Sequence, residues 1–359
     1  MKAAIISMGS ISSKWTLERM QNYFDEVDDL DIRNIQVNLG KENGIFYKGE
    51  PLSNYECVYA KGSYKHAIVL RSMTSMLAGK CFMPCKASAF TVGHNKILTQ
   101  LKLQQCGIPT PATYLSPTIE AAKRILEEIT YPVIIKFPEG TQGKGVMFAD
   151  SYASASSMMD AFASINQPVI IQEYIETGST DTRVIVVGDK VVSAMQRKAE
   201  QGEKRANIHV GGSGESVQLD PVARKIAIKT AKAMNCGICA VDLLEGPKGP
   251  YVIEINLSPG LQGITQATKV DVADKIAKYL YESTQKFLNE SKSTSATDIF
   301  KDLGIDTQDN GSPQEIITTA DLRGERLLLP SAITKMCQIS DEDELTVKAE
   351  KGKLEIKKA

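Results

Sequence analysis

The chain has 359 residues, of which 42% are hydrophobic and 24% charged, and 42 Lys and Arg residues stand against 43 Asp and Glu residues for a net charge of -1. This composition predicts a globular protein of two or three compact units and excludes a disordered or collagen-like chain. The near-zero net charge excludes a bulk field that would draw the whole chain to nucleic acid or to an anionic membrane.

The N-terminus and the cysteines favour a soluble cytoplasmic protein. The first apolar stretch is too short for a signal-peptide core, and no window holds the roughly 18 to 20 apolar residues that cross a bilayer. The seven cysteines are irregularly spaced, which favours reduced thiols. Cys236 and Cys239 form a Cys-x-x-Cys pair without a second pair, so a metal or redox role for them is disfavoured.

Residues 1–95 alternate short apolar runs with amphipathic stretches, a pattern that predicts a small α/β domain with a parallel sheet. The predicted strands are 3–6, 32–37 and 55–60, and the predicted helices are 17–24 and 67–77.

Residues 96–288 predict a larger unit of helices and strands. The predicted helices are 96–106, 153–164, 221–235 and 270–288, and the predicted strands are 133–137, 145–148, 169–174, 181–187, 190–196, 238–245 and 251–256. Gly188-Asp189 predicts a hairpin turn between two of these strands.

The C-terminal part has two sections. Residues 289–318 are polar and rich in turn residues, and they predict a linker with a short helix at 299–303. Residues 319–359 predict a small β-rich module. Since so small a unit rarely stands alone, we expect it to dimerise or to dock on the main body.

A glycine-rich loop follows the strand that ends at Lys136. Its members Gly140, Gln142, Gly143 and Gly145 allow backbone N–H groups to approach an oxyanion, and a nucleotide phosphate is the natural ligand. The spacing fits neither a P-loop nor a dinucleotide fingerprint. By itself, the loop is equally typical of a flexible hairpin.

Carboxylates converge in the hairpin centred on Lys248. Asp242 and Glu254 are each six residues from that centre, which places them opposite one another, and Asn256 lies on the same face as Glu254. Two carboxylates and an amide oxygen suit Mg²⁺ shared with substrate phosphates. The interleaved apolar residues disfavour the alternative of a solvated polar face.

Arginines and the polar residues that accompany them form the third group of candidate site residues. Arginine offers a fixed fork for phosphate or carboxylate, and surface ion pairs are the alternative. The group comprises Asp181, Arg183, Arg197, Arg205 and Asn207.

In chain order these motifs resemble those of the ATP-grasp superfamily, and within it the RimK-like α-L-glutamate ligases. The resemblance covers about 96–288 and includes Lys96, Gln172-Glu-Tyr-Ile175 and Glu254-x-Asn256-x-Ser-Pro-Gly besides the residues already named. It implies an α/β protein with an N-terminal small parallel-sheet (pre-ATP-grasp) domain at 1–95 and a two-lobed α+β ATP-grasp domain at 96–288.

The resemblance also implies roles for individual residues. Lys96 and Lys136 contact nucleotide phosphates under the glycine-rich loop. Adenine is received by Gln172, Glu173, Tyr174 and Ile175, the ribose lies near Asp181, and Arg205, Ala206 and Asn207 line the phosphate end. Asp242, Glu254 and Asn256 hold two Mg²⁺ ions, for which Mn²⁺ is an alternative. The candidate catalytic residues are Arg183, Arg197 and Arg205. Of these, Arg183 and Arg197 bind either the γ-phosphate or a substrate carboxylate. The acceptor pocket is shaped by Ser258 and Gly260.

The implied activity is an ATP- and Mg²⁺-dependent carboxylate–amine ligase. ATP converts a carboxylate into an acyl phosphate, which an amine then attacks, and positioning and charge neutralisation supply the acceleration. L-Glutamate is the expected amino acid, and the acceptor is a protein C-terminus or a small-molecule coenzyme. The alternatives are a ligase for another amine and a nucleotide-sensing DNA-binding regulator.

The tail at about 321–359 resembles the swapped-hairpin AbrB/SpoVT domain, which implies a small all-β module that dimerises. The family's Gly-Arg pair is interrupted here as Gly324-Glu-Arg326. Residues 321–359 contain eight Lys and Arg residues and eight Asp and Glu residues. Because affinity for DNA depends mainly on phosphate neutralisation, this balance favours a homo-oligomer over DNA binding.

Overall fold

The computed structural model describes residues 1–40, 43–137, 145–163, 168–198, 213–302, 321–323, 326–328, 345–351 and 353–358, with backbone alone for 213, 291–302, 321–323, 326–328 and 358. By its internal contacts the chain divides into two compact units, Met1–Ser295 and Ala296–Ala359. None of the described helices is both long and apolar enough to cross a membrane.

The N-terminal region contains two small sheets. Its elements are β1 (Lys2–Ser7), α1 (Ile11–Met20), β2 (Glu26–Asp31), β3 (Ile35–Asn38), β4 (Gly44–Tyr47), β5 (Glu50–Pro51), β6 (Cys57–Ala60), α2 (Ala67–Leu77) and α3 (Ala87–Gly93). The first sheet is parallel in the order β2-β1-β6, and the second is antiparallel in the order β3-β4-β5.

The predicted strand 32–37 is correct only for 35–37, and those residues belong to the second sheet rather than to the parallel one. The parallel sheet takes β2 instead, and residues Ile32–Asn34 form a short 3-10 turn before β3 begins the second sheet. The sequence of β2, Glu-Val-Asp-Asp-Leu-Asp, lacks an apolar run because β2 is an edge strand with one neighbour. An edge strand tolerates charged side chains that face water.

A four-stranded antiparallel sheet forms the first lobe of the larger region. Its elements are α4 (Lys96–Gln105), β7 (Thr113–Ser116), α5 (Ile119–Glu128), β8 (Val133–Lys136), β9 (Val146–Ala149), α6 (Tyr152–Ala163) and β10 (Val169–Glu173). The strand order is β7-β10-β8-β9. Apolar residues of α5 and α6, such as Leu126 and Met159, pack with Val133 and Ile135 of β8 in one buried cluster.

A five-stranded antiparallel sheet forms the second lobe. Its elements are β11 (Thr180–Val187), β12 (Lys190–Lys198), β13 (Ser213–Ser216), α7 (Pro221–Ala233), β14 (Ile238–Gly246), β15 (Gly249–Asn256), α8 (Gln262–Thr268) and α9 (Val272–Asp302), and the strand order is β13-β12-β11-β14-β15. The turn predicted at Gly188-Asp189 is present, and Gly188 takes a positive φ of 64°. Helix α9 continues to Asp302, beyond the predicted end at 288, so residues 289–302, which were predicted to be a linker with a separate short helix at 299–303, are helical; no glycine or proline interrupts them.

Both faces of the five-stranded sheet share their cores with the parallel sheet. Val184 on one face belongs to the same buried cluster as Ile6 of β1, and Ile185 on the other face to the same cluster as Ile5. Neighbouring residues of a strand point to opposite faces, so β1 contributes to both clusters. The carboxyl end of the parallel sheet is thereby held beside the second lobe.

The second unit consists, in its described residues, of two hairpins. β16 (Asp321–Arg323) pairs with β17 (Arg326–Leu328), and β18 (Leu345–Glu350) pairs with β19 (Lys353–Lys358). Leu345, Val347 and Leu354 are exposed within this unit. The short helix predicted at 330–337 lies outside the described residues, and the AbrB-like assignment stays a prediction.

Candidate active site

Strands β14 and β15 bring the predicted metal ligands together. Asp242 stands opposite Glu254 and Ala240 opposite Asn256, as the sequence predicts. The hairpin, however, is centred between 247 and 248, since Gly246 pairs with Gly249. A β-bulge between Asp242 and Leu243 of the ladder shifts the register by one residue and restores the pairing of the two acids.

Two arginines hold Asp242. Arg183 donates from Nε to Oδ1 at 2.8 Å and from Nη2 to Oδ2 at 2.7 Å, and Arg197 Nη2 lies 3.0 Å from Oδ2. The Asp242 side chain is 3% exposed, so these contacts are shielded from water. Although burial alone would raise the pKa of Asp242, the guanidinium groups of Arg183 and Arg197 hold it at about 2.

Asp181 completes this network. Arg197 donates to both of its carboxylate oxygens, at 2.6 Å and 2.5 Å. Burial raises the pKa of Asp181 to about 6, which leaves the carboxylate ionised at neutral pH. Two carboxylates and two guanidinium groups therefore form a buried, charge-balanced set in which Arg183 and Arg197 already have carboxylate partners.

Glu254 differs from Asp242 in its surroundings. Burial, and then the charge of Asp242, raise the pKa of Glu254, while Lys96, Arg183 and Lys136 act in the opposite direction. The neighbouring Asn256 has a buried Nδ2 without a hydrogen-bond partner. Buried polar groups normally have hydrogen-bond partners, so a buried amide without one, next to a carboxylate, is expected where a bound ligand supplies the missing partner.

The donor set fits Mg²⁺. Among the described residues, no group of three or more His, Cys, Asp or Glu side chains is arranged to hold a metal ion. Mg²⁺ does not require such a cage, because it keeps several waters and is bound through one or two carboxylates together with substrate phosphates. Asp242, Glu254 and Asn256 provide a set of that kind.

Lys136 is buried in the first lobe, at the end of β8. Its Nζ donates to Gln172 Oε1 at 2.8 Å, and Gln172 Nε2 donates to Thr113 Oγ1 at 2.7 Å. Burial lowers the pKa of Lys136 to about 8, although Glu254 raises it. Lys136 and Lys96 both affect the pKa of Glu254, so the two predicted phosphate contacts lie near the predicted metal ligands.

The segment from Gln172 to Ile175 leads from the first lobe to the second. The Tyr174 ring meets Phe148 of β9 edge-on at 5.2 Å, and Ala112 N–H donates to Glu173 Oε2 at 3.2 Å. Ile175 packs so closely on the β14–β15 turn that a Cβ on Gly246 would lie 2.7 Å from its Cγ2. The two lobes are therefore fixed on either side of the segment predicted to receive adenine.

Several predicted residues lie outside the described part of the chain. Gly140, Gln142 and Gly143 belong to 138–144, and Arg205, Ala206 and Asn207 belong to 199–212. Gly145 is described and has a φ of 74°, and a Cβ there would meet Phe137 Cδ2 at 3.1 Å. The loop therefore enters β9 through a turn that requires glycine.

A cavity of about 280 Å³ adjoins the predicted metal ligands. The lining of this cavity includes Glu254, Asn256, Lys96 and Ser258. Ser258 Oγ also accepts the backbone N–H of Gly62 at 2.9 Å, which ties the strand of the metal ligands to the N-terminal region. Gly260, the other predicted pocket residue, is exposed and is not among the residues that line the cavity.

Sequence reasoning missed Lys61 and His94, which also line this cavity. Lys61 directly follows β6, and ligands of parallel sheets bind at the carboxyl ends of strands, so a signal for it existed. The His94 ring stacks on Phe90, and its buried Nε2 has no partner. Burial lowers the pKa of His94, which favours the neutral imidazole.

The cysteines form a buried group apart from the cavity. Cys236 and Cys239 are buried, and Cys236 Sγ lies 2.7 Å from Cys85 Sγ. All cysteines of the described residues are free thiols. No described acidic or histidine side chain joins them in a metal-binding group.

The lobes, the lysines and the paired acids define a class of protein with ATP-grasp architecture. The structure superposes on a RimK-domain ATP-grasp protein from Sphaerobacter thermophilus with a TM-score of 0.61 at 18% identity, covering 78% of this chain and 99% of that one. It superposes on the ATP-grasp ligase PsnB, complexed with a precursor variant, Mg and ADP, with a TM-score of 0.63 at 17% identity, covering 79% of this chain and 98% of that one.

The sequence narrows this class to one family. The RimK-like ATP-grasp domain matches residues 93–280. A relative from Thioalkalivibrio sulfidiphilus described as a probable alpha-L-glutamate ligase is 34% identical over 301 residues, covering 81% of this chain and 99% of its own length. The chain belongs to the RimK-like ATP-grasp family, and the prediction of an ATP-grasp ligase is confirmed.

Proposed function

We propose that this ATP-grasp ligase adds L-glutamate to the carboxylate of an acceptor, at the expense of ATP. The observation that carries the proposal is the pairing of Asp242 with Glu254 beside Asn256, at the edge of a cavity that Lys96 also lines. The name of the 34% identical relative supports glutamate as the amino acid. The acceptor is a protein C-terminus or a small-molecule coenzyme.

Binding of ATP uses residues of both lobes. Lys136 and Lys96 contact the phosphates, Gln172, Glu173, Tyr174 and Ile175 receive adenine, and Asp181 lies on the ribose side. The loop with Gly140, Gln142, Gly143 and Gly145 covers the nucleotide, and Arg205, Ala206 and Asn207 line its phosphate end. The burial of Lys136 supports its role, because a buried ammonium gains more from a phosphate than an exposed one.

Asp242, Glu254 and Asn256 hold two Mg²⁺ ions, for which Mn²⁺ can substitute. When bound, these ions neutralise charge on the phosphates during transfer. Arg183 and Arg197 keep Asp242 ionised and oriented, and the donors that they do not use on carboxylates grip the γ-phosphate or a substrate carboxylate. Glu254 has a raised pKa in the empty site and binds a cation as the carboxylate.

The reaction proceeds in two transfers. The acceptor carboxylate attacks the γ-phosphorus and ADP leaves, which gives an acyl phosphate. The glutamate amine then attacks the acyl carbon, phosphate leaves with the bonding electrons, and the amine loses a proton to water. The chain supplies mainly positioning and charge stabilisation, with Ser258 and Gly260 shaping the acceptor pocket.

The tail at 319–359 acts as an AbrB-like module that joins two chains and is separate from the domains at 1–95 and 96–288. The linker predicted at 289–318 begins after helix α9 ends at Asp302. Its balanced charge supports dimerisation rather than DNA binding. A nucleotide-sensing regulator is disfavoured, because a sensor has no need of a site for two metal ions.

The test is ADP release by the purified full chain with Mg²⁺ and ATP. Each of the twenty amino acids is supplied with and without a small-molecule extract, and products are examined by mass spectrometry. A new amide with the mass of one or more glutamyl units is expected. An amide of another amino acid overturns the glutamate assignment, and the absence of turnover in every mixture overturns the ligase.

A further inference from the structure

The cavity beside the predicted metal ligands has a second wall, built by the N-terminal region. The loop after β1 contributes Ser7 and Met8, the start of α1 contributes Ser10 and Ser13, and the segment after β6 contributes Lys61. The first wall carries Glu254 and Asn256, which serve the phosphoryl transfer in the proposed function. The second wall carries no carboxylate among the described lining residues.

Lys61 is a buried cation without a counter-ion among the described residues. Its residue is 4% exposed, and burial alone lowers the pKa of its ammonium group to about 8. No carboxylate of the described residues offsets this burial, Glu254 of the opposite wall included. The Nζ lies 5.5 Å from the centre of the Tyr59 ring, which is a weak substitute for an anion.

The position of Lys61 is fixed by its backbone. Its N–H donates to the Ile6 carbonyl at 2.7 Å and continues the ladder between β6 and β1. A Cβ on the next residue, Gly62, would lie 2.9 Å from Leu70 Cδ1, so a larger residue there would displace the Leu70 side chain. Lys61 is therefore held at the carboxyl end of the parallel sheet, where ligands of such sheets bind.

The start of α1 adds further donors on the same wall. Gly9 turns the chain with a φ of 71°, and the Ser10 side chain caps the helix by accepting the Ser13 N–H at 3.2 Å. The hydroxyls of Ser10 and Ser13 lie 2.9 Å apart and both residues line the cavity. The N-terminus of this ten-residue helix has the positive end of the helix dipole, which favours an anion.

We propose that Lys61 and the first turn of α1 form a subsite for a second carboxylate of the substrate, one that does not react. This inference rests on the proposed function, since it assigns the reacting carboxylate to the opposite wall with Glu254 and Asn256. A glutamyl acceptor places its reacting carboxylate at the wall of Glu254 and a second one at Lys61, whereas incoming glutamate, which reacts through its amine, places one of its two carboxylates at Lys61. A cavity of about 280 Å³ is at the small end of ligand sites and suits a glutamyl unit.

The second carboxylate has two sources, the incoming glutamate or a glutamyl acceptor. The test measures binding to the full chain with L-glutamate and with the α-linked dipeptide of L-glutamate. L-Glutamine and 4-aminobutyrate serve as analogues that each lack one carboxylate. The variants are Lys61→Met and Lys61→Arg, and the matched control is Lys65→Met, which removes an exposed lysine four residues further along the chain.

Wild type and Lys65→Met are expected to bind L-glutamate, or the dipeptide with its three carboxylates, at least 10-fold more tightly than the weaker-binding of the two monocarboxylates. Lys61→Met is expected to lose this preference, Lys61→Arg to retain most of it, and all variants to bind ATP equally. Preference for free glutamate identifies the amino acid as the source, and preference for the dipeptide alone identifies the acceptor. Retained preference in Lys61→Met, or no preference in wild type, overturns the subsite.

The two proposals fail separately. Binding is measured without turnover, so a wild-type protein that binds dicarboxylates through Lys61 but forms no glutamyl amide keeps the subsite and overturns the proposed function. An active wild type whose KM values for glutamate and for the acceptor are both unchanged in Lys61→Met overturns the subsite and keeps the ligase. Unaltered ATP binding by Lys61→Met shows that the variant is folded.

Discussion

Asp242 on β14 faces Glu254 on β15. The pairing depends on a β-bulge, because Ile253 of β15 has no partner on β14 and shifts the register by one residue. Directly opposed like charges are destabilising unless other groups compensate them. Arg183 compensates Asp242 through two hydrogen bonds, whereas burial and the charge of Asp242 raise the pKa of Glu254. One acid is thus paired within the protein, and the other is available to a cation.

Replacement of Glu254 by Gln removes the available carboxylate with almost no change in shape. We expect ADP release to fall by about 100-fold or more, since even groups that only support metal ligands are worth 10- to 100-fold. The matched control is Glu245→Gln, an exposed acid on the same hairpin. Undiminished ADP release by Glu254→Gln, with a thermal unfolding midpoint equal to that of wild type, would contradict the metal assignment.

Replacement of Arg183 by Met removes two of the hydrogen bonds to the buried Asp242 carboxylate and leaves Arg197 to balance its charge. The free energy of unfolding is expected to decrease by about 3 to 5 kcal/mol, as for other buried ion pairs that lose one partner. The double variant with Asp242→Asn should recover part of this loss, because the carboxylate charge is then absent as well. Urea unfolding of the four proteins in the cycle measures both effects, and additive losses would show that the two residues do not interact.

Replacement of Lys61 by Met is expected to stabilise the ligand-free protein. The pKa of Lys61 is lowered from 10.5 to about 8, which corresponds to about 3 kcal/mol of destabilisation at pH 7 as an upper value. Below pH 8, Lys61 is protonated in both the folded and the unfolded state, so the full destabilisation from burying its charge is present. Between pH 8 and 10.5 the unfolded chain binds more protons, so the stability of wild type rises with pH.

The gain from Lys61→Met should therefore shrink as pH rises from 8 to 10.5. Wild type and this variant share the other titratable and charged groups of the cavity, so the contributions of those groups to the pH dependence cancel in the difference. These groups are Tyr64, His94, Lys96 and Glu254. Chemical unfolding at pH 7, 9 and 10.5 measures the difference. A variant that is less stable than wild type at pH 7 would indicate that Lys61 has a packing role instead.

Replacement of Lys136 by Met removes the predicted phosphate contact of the first lobe. We expect the affinity for ATP to fall by about 10-fold or more, since hydrogen bonds to charged groups contribute roughly 1.5 to 3 kcal/mol. Lys123→Met is the control, because Lys123 forms an ion pair with Asp160 on the outer helices of the same lobe. Equal nucleotide affinity in both variants would remove Lys136 from the ATP site.

Removal of residues 319–359 tests the role of the tail. Residues Met1–Ser295 form a compact unit with its own internal contacts, so the truncated protein should fold and keep some ADP release. Light scattering should report a dimer for the full chain and a monomer for the truncated one. A truncated protein that remains dimeric would place the dimer interface elsewhere.

Much of the site could be predicted because its chemistry is carried by residue types at short spacings. The alternation of β15 alone places Glu254 and Asn256 on one face, and the turn between 246 and 250 predicts that β14 pairs with it. The predicted centre of the turn, Lys248, was slightly wrong, and the correct pairing of Asp242 depended on a bulge. A bulge has no reliable sequence signal, since it is set by packing on the two faces of the sheet.

The sequence by itself determined the order of lobes, most helices and strands, and the pairing of the two acids predicted to bind metal, because hydrophobic periodicity and turn residues act over a few positions. Tertiary structure alone decided that Arg183 and Arg197 converge on Asp242, that Gln172 reaches Lys136, and that Lys61 shares a cavity with Glu254. The partners in these contacts are distant in the chain, since Gln172 is 36 positions from Lys136 and Asp242 is 59 positions from Arg183. Such contacts depend on how sheets pack through their common cores, and no local pattern encodes that packing.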